Sequence, residues 1–371
     1  YFRANTTGFP RLRELTERQV LRLRGSLRVD VRCSQVAMMA SQLCDCPMVG
    51  PMEVIRLLDG PIVSPQTHHS IGHNIQGPSL IRVPDWVAAP LGRYYLYFAD
   101  HKGSYIRLAY ADEITGPWHI HPPGSLHLPE SCFLTEPPDV SDDELATIQI
   151  YMDALGSSLP HDIKTEITTP HIASPDVHVD HPNERIIMYF HGLDGLATQL
   201  TRVAFSSDGI SFSARSEPLA RPYLRVFDYD GIRYGIAMPG QVYRSSDGVG
   251  AFDEGPVLFE RDMRHMAVAV RGNTLHVLWT RVGDTPERIL LSTVDLKPGW
   301  TEWSNEGEIE VLRPERSWEG ADAPLEPSIR SVAYGYLNQL RDPALYVEDN
   351  RTYLLYVVAG ESGIGIAQIN W

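Results

Sequence analysis

YYLYFADHKGSYIRLAYADEITGPW, Tyr94 to Trp118, is the stretch on which the reading of the chain turns. It holds an apolar run, a charged knot at Asp100, His101 and Lys102, a second apolar run, and a turn closed by Gly116-Pro117-Trp118. Short apolar runs bounded by turn formers read as the strands of a hairpin. NIQGPSLIRVPDW, Asn74 to Trp86, supplies a strand ahead of it, and the His-rich segment after Trp118 supplies another.

The same unit recurs along the chain. PHIASPDVHVDHPNERIIMYFHGL with ATQLTRVAFSSDGISFSA (170–214) is a second copy, and YLRVFDYDGIRYGIAMPG with QVYRSSDGVGAFDEGP (223–256) is a third. RHMAVAVRGNTLHVLWTRVGDTPERILLSTVDLKPGWTEWS (264–304) and LRDPALYVEDNRTYLLYVVAGESGIGIAQIN (340–370) complete five. Each is a strand, a turn rich in Asp, Asn or Gly, a strongly apolar second strand and a third strand, and most add an outer strand. Repeats of this kind bury their faces only against their neighbours, which predicts an all-β fold, a five-bladed β-propeller over 51–371. The fifth copy ends without a fourth strand, and MEVIRLLDGPIV (52–63) is expected to supply it and close the ring. A β-sandwich is the competing architecture.

Composition narrows the function classes. The chain has 371 residues, 43% hydrophobic and 21% charged, enough to bury a sizeable core. A net charge of -15 argues against a nucleic-acid grip or an anionic membrane surface, both of which need a basic face. No run approaches a membrane span. Cys33, Cys44, Cys46 and Cys132 form no CxxC pair and read mostly as free thiols. Leu12, Leu15, Val20, Leu21 and Leu23 fall near helical spacing, so residues 1–50 are expected to be a partly helical extension. The chain starts at Tyr1 rather than Met, so a trimmed chain is expected; the compartment is left open, and assembly leans towards a homodimer.

In a propeller the start of each first strand and the end of each second strand share one rim. The strand-one starts place Asn74, Gln76, His171, Asp176, Tyr223, Arg225, Arg264, His265, Arg341 and Asp342 there, and the strand-two ends place Asp100, His101, His191, Arg281 and Glu361. Each residue alone reads as a turn former or a satisfied polar group. A ring of ionisable side chains around one cavity, however, marks a ligand site, because buried charge without partners is costly.

GPSLIRV before YYLYFADH, SPDV before IIMYFHG, and RDPALY before YLLYVVAGESGIGIA make the chain resemble the five-bladed propeller glycoside hydrolases, the arabinanase, xylosidase and levansucrase-like superfamily. The resemblance implies a carbohydrate substrate and three carboxylates: an Asp base on the first blade, an Asp tuning the acid on the second, and a Glu acid on the third. Asp176 matches the second. The base normally precedes the Pro that is Pro78 here, where this chain has Gly77; the third blade offers Tyr223 and Arg225 instead of Glu. Some relatives are thought to use a His acid, for which His171, His191 and His265 are placed, with Asp100, Asp176, Asp342 and Glu361 as supporting carboxylates. Imidazole suits that role because its ordinary pKa of ~6.5 lies near neutrality.

Arg225, Arg264, Arg281 and Arg341 are read evenly as an anion clamp or as counter-ions of the nearby carboxylates. Asp284, Glu287, Arg288, Trp318, Glu319, Asp322 and Glu326 are read as structural closures more than as subsite walls. No cofactor is required; a divalent metal in the funnel is left open, since no HxH or HExxH spacing supports one and HVDH (178–181) and HHSIGH (68–73) are suggestive only. The alternatives to a glycosidase are a lyase, cyclase or isomerase on the same scaffold, or a sugar-binding propeller without turnover.

Overall fold

The computed structural model describes residues 52–371 apart from 155 and 157. The expected N-terminal helix and Cys33, Cys44 and Cys46 lie outside the described residues; Cys132 is a free, exposed thiol.

Five four-stranded antiparallel sheets form the five blades. Blade I is β2 (Gln76–Arg82), β3 (Tyr94–Ala99), β4 (Tyr105–Ala111) and β5 (His119–His127), and blade II is β6 (Ile172–Asp180), β7 (Arg185–Gly195), β8 (Thr198–Ser206) and β9 (Ser213–Ala214). Blade III is β10 (Arg225–Tyr229), β11 (Ile232–Ala237), β12 (Gln241–Ser245) and β13 (Asp253–Val257). Blade IV is β14 (Met263–Arg271), β15 (Thr274–Arg281), β16 (Ile289–Asp295) and β17 (Asn305–Leu312). Blade V is β18 (Arg341–Glu348), β19 (Arg351–Val357) and β20 (Ile364–Asn370), and its outer strand is β1 (Glu53–Arg56), paired from Glu53 opposite Asn370 to Arg56 opposite Ala367. The ring therefore closes with the N-proximal strand, as the missing fourth strand of the last repeat required.

The second strands are most apolar along their middles, as in β3 (YYLYFA) and β19 (YLLYV), because both faces there are interior. Along β3, Tyr95 and Tyr97 pack with Ile186, Met188 and Phe190 of blade II, while Leu96 and Phe98 pack with Tyr353 and Leu355 of blade V. Side chains alternate at a period of two, so each blade feeds two interblade cores. Hydrogen bonds repeat with the same logic: the Tyr97 hydroxyl donates to the Gly209 carbonyl of the next blade at 2.7 Å, and Tyr189 donates to Gly248 at 2.5 Å. Both acceptors sit in Ser-Ser-Asp-Gly turns, in which Asp208 and Asp247 accept from the following main-chain amides.

Between blades I and II the chain inserts helices α1 (Asp142–Ala154) and α2 (Ile163–Thr168), which the repeat reading did not include. A local signal was present. Ser141 and Glu144 form a reciprocal cap, Glu144 N–H to Ser141 Oγ at 3.3 Å and Ser141 N–H to Glu144 Oε2 at 3.0 Å. The closing strand is anchored by Arg56, whose Nε meets the fully buried Glu319 at 2.7 Å, with the Tyr356 hydroxyl donating to the same oxygen at 3.0 Å. Glu319 is thus a structural closure, as read.

Candidate active site

The inner strands open on one repeated device. Gly77 (φ +63°), Ser174 (+48°), Tyr223 (+62°), His265 (+47°) and Asp342 (+42°) occupy the same place in the five blades, each in the left-handed region. The strand register shifts there in blades I, II, IV and V, so the residue is a bulge. A non-glycine residue in this region costs about 1 to 2 kcal/mol, and such strain gathers where side chains must be aimed at a ligand. In blade I only glycine fits, because a Cβ on Gly77 would lie 2.8 Å from the Ser174 Cα of blade II. An aspartate at this first-blade position is excluded by the neighbouring bulge, and the Asp-Pro pair occurs instead at Asp342-Pro343 of blade V.

One arc of the funnel floor carries polar atoms without partners. The rings of His191 and Tyr223 lie 4.5 Å apart, those of Tyr223 and His265 5.0 Å, and His171 meets His191 edge-on at 6.1 Å. His265 Nδ1 reaches Asp342 Oδ1 at 3.4 Å. All five side chains are buried, yet among the described residues His171 Nε2, His191 Nδ1, the Tyr223 hydroxyl, His265 Nδ1 and both Asp342 oxygens lack a hydrogen-bond partner. Buried polar groups are nearly always paired, so a contiguous run of unpaired ones calls for water, an ion or a ligand to complete it. Burial, with the Arg264 and Arg341 charges beside it, drives His265 well below its ordinary value, and burial does the same to His191. Burial and Lys102 bring His171 down to about 3. These imidazoles are therefore neutral at neutral pH. Asp342 moves the other way: burial and the Glu361 charge push it from 3.8 up to about 7.

The other side of the floor is ion-paired, although Arg341 Nη2 and Gln76 Nε2 there also lack a hydrogen-bond partner among the described residues. Glu287, fully buried, accepts from Arg264 Nε at 2.9 Å and also binds Arg264 Nη2, and it meets Arg341 Nε at 3.3 Å. Glu361 accepts from Arg341 Nη1 at 2.8 Å and Asn74 Nδ2 at 2.7 Å, with His101 Nδ1 at 3.1 Å. Burial opposes the Glu361 charge, but His101, Arg341 and Asn74 outweigh it and hold the carboxyl at about 2. Gln76 is buried beside this group and accepts from the Ser174 hydroxyl at 3.0 Å. Glu287, read from sequence as part of a closing loop, is the shared counter-ion of two buried arginines.

The charged knot of blade I ties these parts together. Asp100 caps its own turn through Lys102 N–H at 2.9 Å and faces Arg107 at 3.6 Å; it is a scaffold contact at the hairpin tip. His101 reaches Glu361, and Lys102 reaches Glu166 of α2 at 3.5 Å. Glu166, which nothing in its local sequence singles out, also binds His161 Nε2 and the Ser331 hydroxyl, both at 2.7 Å. Burial would raise it, but Lys102, Ser331 and His101 hold it below the ordinary range, so it is ionised.

His101, Glu166, Tyr223, Arg264 and His265 open into a cavity of about 630 Å³ that extends between blades II and III. Asp176 does not face this cavity. It accepts from Val226 N–H at 2.9 Å, contacts His178 at 2.8 Å, and lines a separate cavity of about 330 Å³ towards the far ends of β2, β6 and β18. Arg225 is spent on the main-chain carbonyls of Pro175 (2.9 Å) and Met266 (3.0 Å). Arg281 points outward to Glu308 and Asp284 because the end of β15 faces the blade edge. The four arginines therefore form no common anion clamp; they serve as counter-ions and wall braces. Among the described residues no group of three or more His, Cys, Asp or Glu side chains is placed to hold a metal ion.

No protein-family profile matches the sequence. An uncharacterized protein, R118, of Acanthamoeba polyphaga mimivirus is 33% identical over 357 residues, covering 88% of this chain and 92% of that protein. The chain belongs to the family of this viral protein. Among solved structures, a xylotriose complex of CoXyl43, a family-43 β-xylosidase/α-arabinofuranosidase from a compost metagenome, covers 85% of this chain and 94% of its own at 14% identity, with a TM-score of 0.50. A family-43 enzyme of Xanthomonas citri (14% identity, 84% and 88% covered, TM-score 0.48) and an α-L-arabinanase of Cellvibrio cellulosa (8%, 80% and 92%, 0.48) are similar. At 14% identity the likeness to CoXyl43 is one of fold alone. No described helix is long and apolar enough to cross a membrane.

Proposed function

We propose that this protein is a glycoside hydrolase-like enzyme acting on a carbohydrate in the funnel by general acid/base chemistry. The observation that carries the reading is the arc from His171 through His191, Tyr223 and His265 to Asp342, whose buried polar atoms lack partners among the described residues and of which Tyr223 and His265 line the 630 Å³ cavity. A sugar, with hydroxyls on every edge, is the ligand class whose donors and acceptors fit such a surface.

In this reading Asp342 is the acid. It holds its proton near neutrality, stands in the bulge position that the family-43 pattern gives to a first-blade Asp, and gives that proton to the leaving-group oxygen as the glycosidic bond breaks. His265, neutral, takes up hydrogen bonding to Asp342 once the carboxylate forms. Glu361 keeps its charge and so keeps the proton on Asp342, since two close carboxyls do not both ionise. Glu166 supplies an ionised carboxylate on the same cavity, placed to stabilise the oxocarbenium-like transition state or to accept a proton from water. Asp176 acts through the wall, fixing Val226 and the start of blade III. Imidazolium is not the donor, because the three buried histidines are neutral.

The neutral imidazoles of His191 and His265 also favour a second reading, proton abstraction from a sugar carbon and elimination. A panel of aryl and alkyl glycosides in solvent enriched in heavy oxygen separates the readings: hydrolysis places the label in the product, and elimination gives an unlabelled, unsaturated one. Full activity in both Asp342→Asn and His265→Ala, or sugar binding without turnover, would reject the acid assignment.

A further inference from the structure

The charges on the cavity are matched unequally. On the wall of blades II and III they offset one another: Asp194 meets Arg202 at 2.6 Å, and Arg221 and Glu254 act with opposite sign on the Tyr243 hydroxyl. Near the floor, Glu166 is taken by Lys102, His161 and Ser331, and Arg264 holds the fully buried Glu287 through two nitrogens. Arg330, which lines the cavity beside Arg264 and Ser331, has no such partner. Its Nη2 donates to the Arg261 carbonyl at 3.0 Å and to Asp262 Oδ1 at 3.3 Å, and the half-exposed Asp262 also lies 3.7 Å from Arg261. Both contacts run through Nη2, which leaves Nε and Nη1 without a partner among the described residues. Electrostatics follow the geometry. Burial opposes the Arg264 charge, but Glu287 raises it above its ordinary value; burial and the charges of Arg264 and Arg261 lower Arg330, with Asp262 compensating only in part. A guanidinium stays charged at any working pH, so what Arg330 lacks is negative charge around it. Its position is fixed, because the next residue, Ser331, accepts from Arg341 Nη1 at 3.1 Å through its carbonyl and holds Glu166 through its hydroxyl.

We propose that Arg330 receives the oxyanion of a charged sugar, the carboxylate of a uronic acid or a sulfate ester, on the cavity beside the floor. This rests on the reading of the floor as a sugar site, and it names the substrate class as acidic sugars. The arginines that sequence singled out are spent on internal partners; Arg330 comes from the connection between blades IV and V and keeps donors for a ligand. An oxyanion there forms charge-assisted hydrogen bonds and supplies the charge that Asp262 does not.

The test measures binding, by calorimetry on the full chain, of methyl thioglycosides of glucose and galactose beside their uronic-acid and 6-sulfate counterparts, all of which resist hydrolysis. Matched oxygen glycosides report turnover. For at least one sugar the uronate or the 6-sulfate should bind about tenfold to a hundredfold more tightly than the neutral parent, and whichever does so identifies the oxyanion. In Arg330→Gln the ratio of charged to neutral binding should fall to within about twofold of unity. Asp262→Asn removes the competing carboxylate and should raise that ratio about twofold to fivefold, as for one exposed ion pair. Equal binding of neutral and charged forms overturns the inference whether or not glycosides are turned over, and so does a ratio unchanged in Arg330→Gln. A high ratio without turnover of any oxygen glycoside supports the acidic-sugar site and rejects the hydrolase reading. Absence of binding by every sugar, neutral or charged, overturns both.

Discussion

On the blade V side of the funnel floor, Glu287 and Glu361 meet the charges of Arg264 and Arg341, with Arg341 Nη2 left over; on the opposite side, His171, His191, Tyr223 and His265 each keep a buried polar atom without a partner among the described residues and have no counter-ion network of this kind. Both sides are equally buried and use ionisable residues from the same repeat positions. The difference is what each is for. A closed ion network resists change and fixes the backbone bulges, while an open one is stabilised only when something else supplies the missing contacts. Asp342 stands between the two: burial and the charge of Glu361 raise its carboxyl, and His265 Nδ1 lies 3.4 Å from it on the other side.

Removing the closed side's centre should have the largest effect. Glu287→Gln leaves two buried arginines short of a counter-ion and should cost about 3 to 5 kcal/mol in denaturant unfolding. Unchanged stability would mean that the network is not the scaffold.

Asp342→Asn should lower kcat/KM by about 10² to 10⁴ on the best-cleaved glycoside of the panel. The same substitution should stabilise the fold at pH 8. With the folded carboxyl raised from 3.8 to about 7, the folded state holds a proton that the unfolded chain releases, so stability is full below about pH 4 and declines as pH rises to 7. Asparagine removes that decline, a gain on the order of 2 to 4 kcal/mol at pH 8 and none at pH 3. Thermal melts at both pH values check the sign.

Tyr223→Phe sharpens the contrast, because it deletes a hydroxyl that makes no well-formed hydrogen bond among the described residues, the Ser174 hydroxyl being its nearest electrostatic partner. Stability should hold or rise, while kcat/KM falls about tenfold, as for one lost hydrogen bond of ~1 to 1.5 kcal/mol. The latch variants Tyr97→Phe and Tyr189→Phe should do the reverse, each losing about 1 kcal/mol of stability with turnover unchanged. Arg281→Ala, on a partly exposed surface pair, should change stability by less than about 1 kcal/mol and leave turnover alone.

The fold was legible because a propeller writes its repeat into the sequence: a second strand with two interior faces must be apolar at every position, as YYLYF and YLLYV are. The closing role of β1 followed from simple completeness of the last blade. The insertion helices were less visible, since their marks were two short caps, Ser141 with Glu144 and Asp162 with Thr165. In the site, periodicity located the floor but not the direction of each side chain. Arg281 ends a strand that faces the blade edge, and Asp176 follows its bulge by two residues and so turns to the far end of the channel. Glu287 and Glu166 enter from connections whose length follows no repeat, and only the folded chain brings them beneath two arginines and against Lys102. The left-handed bulge itself was present as Gly-Pro, Ser-Pro and Asp-Pro pairs, yet Tyr223 and His265 fill it with no Pro beside them.

A crystal structure of Asp342→Asn bound to the best-cleaved glycoside would test the two-sided floor most directly. The ligand's oxygens should lie within hydrogen-bond distance of the Tyr223 hydroxyl, His191 Nδ1, His265 Nδ1 and the residue 342 amide, with the Arg264–Glu287–Arg341 contacts unchanged. A sugar bound instead on Arg264 and Arg341 with Glu287 displaced, or in the far cavity beside Asp176, would contradict the account.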